Sequence, residues 1–340
     1  MKSTLLAVPA VLALFASQAA FALRCGDFLY HSVTLSGDVI CAPDEYGLLI
    51  GADGVRIDLN GFTLYGSTAS IAATAGIQSV NHSGTEIVGP GRIQDFLLGV
   101  SLSDGGKHRV SGVTVVNGGV FLVNVGDSVV ERSVMPHLSI GTRIGGKAYY
   151  NQVVDNDFFP AAVSNPIQAN TAILVSGCGA ERNVITGNRM AAPPPMAAPG
   201  FGLMIFVGAN NNLVKGNTFS RSVFVGHGVN SNVITRNVIT AGAGFAGVEL
   251  SAGNASCVGG LVGASDNVVL ENEISGGPYG VAVRSLPGAL STGNQIRGNV
   301  ISGQYAGLAF STGSNNNDGR QNRVHAPVYA IDYGAGNLWP

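Results

Sequence analysis

Three side chains in this sequence could share proton chemistry: His227, Glu249 and Arg284. An arginine that neutralises a carboxylate makes the neighbouring C–H more acidic, and a basic group beside it can then remove that proton. That is the chemistry of elimination or epimerisation next to a carboxylate. A surface ion pair between Glu249 and Arg284, contributing about 0–1 kcal/mol, accounts for the same two residues. Other chemistries lack their parts. Cys25, Cys41, Cys178 and Cys257 show none of the close spacings that zinc requires. The Gly-x-Gly strings precede no helix, so they read as turns and not as phosphate loops. Neither metal nor cofactor is expected. A formal net charge of −2 with only 11% charged residues excludes the basic footprint of a nucleic-acid binder.

A second group of residues could line a binding surface: Leu174, Met204, Phe206, Arg221, Phe224 and Ser251. Most lie in short runs of the form Gly-aliphatic-x-aliphatic, such as Gly202-Leu203-Met204-Ile205 and Gly247-Val248-Glu249-Leu250. In an extended chain these are the places that alternate away from the aliphatic side. Between Glu181 and Glu249 no acidic residue occurs, whereas Arg182, Arg189, Lys215, Arg221 and Arg236 do. Such local positive charge favours an anionic partner, although only Arg221 falls close to these runs. Long inserts after Phe158 and Met190, and another at 252–266, would wall the same surface; covering apolar floor residues is an alternative role for them.

What must position these side chains is a repeat. The phrase Asn-x-aliphatic-x-x-Asn-x-apolar begins at Asn151, Asn183, Asn212, Asn232, Asn267 and Asn294, with weaker copies from Val55, Thr85, His108, Ser128 and Asn322. About eleven coils are implied. Each copy leads through a Gly/Ser-rich turn into another short alternating run, giving three short strands per coil. The expected fold is therefore all-β, a single-stranded parallel β-helix. The sixth-place asparagines, Asn60, Asn156, Asn188, Asn217, Asn237, Asn272 and Asn299, are assigned to the corners. Asparagine tolerates the left-handed backbone a sharp corner needs, and stacked amides can bond along the axis at a spacing of about 4.8 Å.

This phrase resembles the repeat of pectate-lyase-like right-handed parallel β-helix proteins, over about residues 50–335. The opening, from Cys25-Gly26 to Cys41 and on to Asp58-Leu59-Asn60-Gly61, is similar to secreted bacterial members of unassigned activity. The resemblance implies right-handed winding, in line with the general rule for parallel crossovers, and a ligand groove on the face of the Gly-aliphatic-x-aliphatic strands. Departures from the catalytic subfamilies matter. The grouped aspartates of polygalacturonases are missing, and His227-Gly228 is the one fragment that looks similar. Calcium prefers six to eight oxygens, and the face offers Glu249 and the distant Asp332, so the calcium-dependent lyase pattern is incomplete.

The chain opens as a secretory leader over residues 1–22, with cleavage expected after Ala22 and a periplasmic or extracellular destination. Residues 23–50 are expected to cap the tube, with a Cys25–Cys41 disulfide that would stabilise by about 3 kcal/mol, and 51–340 to form the helix itself. Cys178 and Cys257 could pair or remain buried thiols. The expected function is binding of a polysaccharide, with the local positive charge favouring an anionic one, by a monomer without a membrane span. The alternatives are a lyase or epimerase working through His227, Glu249 and Arg284, and a structural surface protein.

Overall fold

In a computed structural model the described residues are 23–67, 74–159, 171–191, 200–242, 244–255, 257, 259–303 and 305–340. Residues 1–22, where a leader is expected, and most of the inserts after Phe158 and Met190 lie outside them. Strands of two to nine residues form three long parallel sheets of 13, 11 and 12 strands. Neighbours within a sheet are one coil apart in sequence, so the chain winds continuously through all three. The protein is a parallel β-helix. Among the described residues no helix is long and apolar enough to cross a membrane.

Alternation within each short strand drives the winding. The third-place aliphatics Ile57, Ile87, Val110, Val130, Val153, Ile185, Val214, Ile234, Val269 and Ile296 are fully buried. Each sits in direct register with the next. Burying one such side chain contributes about 1.5–3 kcal/mol, and a slip of one residue would turn the whole column outward.

Each of the eleven phrase copies leads into a strand of the first sheet, and two further strands, Phe28–Leu29 and Leu48–Ile50, precede them. The segment expected as a cap is thus itself a rung: Phe28–Leu29, Val33–Thr34 and Val39–Ile40 begin the three sheets. Cys25 and Cys41 are bonded within it. The phrase copy from Asn322 is out of step with the winding. Asn322 stacks with sixth-place Asn299, and Val324 pairs with Ile301, while Asn317 takes the first place beside Asn294.

The corner asparagines require a different explanation from left-handed tolerance. Asn60 has φ 48°, but at the other six corners the left-handed residue is the one before the asparagine: Asp155, Gly187, Gly216, Arg236, Glu271 and Gly298. The asparagines are needed for hydrogen bonding instead. Asn156 Nδ2 donates to Val130 O at 2.8 Å and to Asn188 Oδ1 at 3.0 Å, and the contact repeats through Asn217, Asn237, Asn272, Asn299 and Asn322. The first-place asparagines form a second such column, from Asn151 to Asn337.

Candidate functional site

The outward side of the first sheet carries the candidate residues in two columns. One holds Leu174, Met204, Phe224, Glu249 and Ala282 in register; the next holds Ser176, Phe206, Gly226, Ser251 and Arg284. Leu174, Met204, Phe206, Phe224 and Ser251 therefore lie on one continuous patch, all half-buried. His227 follows the strand Ser222–Gly226 on a left-handed residue with φ 64°. Its Nδ1 lies 3.1 Å from Asn254 O, on the antiparallel hairpin Gly253–Ala255/Gly260–Val262. Its ring packs 4.4 Å from that of Phe206 and 5.9 Å from that of Phe224.

Phe201 and Phe245 extend this aromatic floor, with Phe201 5.3 Å from Phe224 and 5.1 Å from Phe245. Strict alternation from Leu203 and Ile205 would send Phe201 inward. Its partner Ser222 precedes Val223 by one residue where Phe201 precedes Leu203 by two, and this bulge frees the ring to face out.

Glu249 is the carboxylate of the floor. Arg284 Nε lies 3.2 Å from Glu249 Oε1, with the Glu249 side chain only 14% exposed. Burial raises its pKa, and Arg284 opposes that rise. A carboxyl shifted upward in this way, beside a guanidinium, is a candidate for exchanging a proton with a ligand.

The remaining basic residues divide sharply. Arg189 pairs with Asp157 at 2.8 Å and Arg236 with Glu271 at 2.7 Å, each on an adjacent coil; Arg182 bonds Tyr150 Oη at 2.7 Å. Arg221 is different. It is 6% exposed and has no hydrogen bond or ion pair among the described residues, and burial lowers its pKa. The neighbouring Ser222 Oγ is also buried without a partner.

Beyond the downstream ends of the floor strands opens a cleft of about 610 Å³ bordered by Thr142, Lys147, Ser176, Glu181 and Val207. Cys178 and Cys257 are bonded at its edge, tying the Gly177–Gly179 turn to the insert that carries the His227 hairpin. Among the described residues no three His, Cys, Asp or Glu side chains gather as a metal site would require.

No family model matches the chain, and no curated protein matches it by sequence. Solved structures do. The Azotobacter vinelandii mannuronan C-5 epimerase AlgE4 A-module superposes with a TM-score of 0.55 at 14% identity, covering 94% of this chain and 90% of its own. The AlgE6 A-module from the same organism gives 0.54 at 13%, covering 91% and 88%. At such identities the likeness is one of fold, a right-handed parallel β-helix.

Proposed function

We propose that the protein binds a polysaccharide along the first-sheet face, over Phe201, Phe206, Phe224, Phe245 and His227. The observation that carries this is the contiguous aromatic floor on the outward face of a rigid tube. Half-exposed rings offer flat apolar faces for sugar rings, and the polar margin of Ser176, Ser251 and Glu249 offers acceptors for hydroxyls. The mannuronan-directed names of the two AlgE modules are in keeping with a glycan ligand. Replacing Phe206 and Phe224 together by alanine should weaken retention on a glycan that the wild type holds, by about tenfold or more. Unchanged retention refutes this surface, and a wild type that holds no glycan in a broad array leaves a structural role.

A second reading, a lyase or epimerase for an anionic glycan, draws support from the Glu249–Arg284 contact and the raised carboxyl of Glu249. It expects unsaturated or epimerised product from polyuronates, lost in Glu249→Ala. Absence of product from every polyuronate tried, or full activity in that variant, removes it.

A further inference from the structure

We infer that Arg221 forms a receiving position for a carboxylate, so that the polysaccharide held on this face is an acidic one. The inference rests on the polysaccharide reading and sharpens it to a substrate class.

A guanidinium carries five donors and a fixed charge, and burial without a partner is among the most costly arrangements a fold can keep. Elsewhere on this tube arginines find partners one coil away: Arg109 with Glu131, Arg189 with Asp157, Arg236 with Glu271, Arg284 with Glu249. Arg221 is more buried than any of these, yet among the described residues it has no partner. An unpaired guanidinium matches what a carboxylate accepts, a forked pair of hydrogen bonds from a fixed positive charge.

The position also suits a ligand on the aromatic floor. Ser222 lies in register with Phe201, whose ring touches Phe224 and Phe245. Arg221 is three residues upstream of Phe224, about 10 Å along the strand, at the edge of the floor opposite His227. A sugar ring stacked over Phe201 would turn one margin toward that edge. The competing account is that Arg221 only packs its aliphatic stem. Methionine would then serve equally well for binding.

The test uses alginate and polygalacturonate, each beside its carboxyl-reduced form, in affinity electrophoresis and thermal shift. Wild type should hold the acid forms about 10- to 100-fold more tightly than the reduced ones. Arg221→Met should lose that preference, keep its hold on the reduced forms, and melt at or above the wild-type temperature, because it removes an uncompensated buried charge. Equal wild-type affinity for acid and reduced forms overturns the inference and leaves the polysaccharide reading standing. Should Arg221→Met melt well below wild type, the arginine is a structural member and the inference falls. If neither form of either polymer is held, and no glycan in a broad array is held, the underlying reading fails first.

Discussion

One buried column of the tube is built in two ways along its length. From Asn151 to Asn337 every place is an asparagine: one amide N–H points to the next amide oxygen, and the other to a carbonyl of the preceding coil. Below Asn151 the same places hold Ser128, His108 and Thr85. The backbone bonds persist there, from Ser128 N to Asn151 Oδ1 at 3.1 Å, His108 N to Ser128 Oγ at 2.9 Å and Thr85 N to His108 Nδ1 at 3.3 Å. The side-chain relay does not. Ser128 Oγ donates to Gly126 O within its own coil, and His108 Nε2 is buried without a partner. The amide is favoured because it alone among these side chains can donate both ways along the axis while accepting at its oxygen.

Breaking the complete part of the column should have the larger effect. Asn232 accepts from Asn212 N and Nδ2 and donates to Ala209 O and Asn267 Oδ1. Asn232→Leu would leave several of these buried groups unpaired, at a cost of about 4 kcal/mol. Chemical denaturation should show a destabilised array, and hydrogen exchange should place the loosening in the coils on either side, since coils in a solenoid support only their neighbours. A loss under about 1 kcal/mol would mean that the column is dispensable.

The asparagine phrase made the winding legible because its third-place aliphatics and its amides recur at every coil. Its chemistry was harder to read. The left-handed residue stands one place before each column asparagine, and neither glycine nor a charged residue there announces it: Gly187 and Arg236 serve alike. On the candidate face, Leu174, Met204, Phe206 and Phe224 followed from alternation, whereas Phe201 was hidden by a bulge that alternation cannot see. The positive stretch from Arg182 to Arg236 suggested a basic surface, but pairing across coils consumes much of it. Arg189 meets Asp157 and Arg236 meets Glu271, 32 and 35 residues away. Such pairing depends on the register of the stacked coils, which no local window of sequence reveals. The unusual state of Arg221 emerges only once its neighbours are known to be satisfied.

Repairing the incomplete part of the column sharpens the comparison through pH. Burial lowers the His108 pKa to about 4, with Asp53 raising it and His82 lowering it to smaller extents, and those two groups lie 3.5 Å apart beside it. Charging the ring would also put a proton on Nδ1, where the Thr85 N–H already points. The unfolded chain takes up this proton near pH 6.5 and the folded chain not until about pH 4. Between those values the unfolded state binds more protons, so the stability His108 contributes is complete above pH 6.5, falls with the pH and is gone below about pH 4. The loss amounts to about 3 kcal/mol. Glu249, whose pKa is raised, acts in the opposite sense: its share is present in acid and lost as the pH rises through its folded value, so it cannot be the source of acid weakening. His108→Asn supplies the amide that the column uses elsewhere. It should change stability by no more than about 1 kcal/mol at pH 7, yet exceed the wild type by about 3 kcal/mol at pH 4 in denaturation curves. If the two proteins lose stability in parallel on acidification, His108 is not the acid-sensitive place in the column.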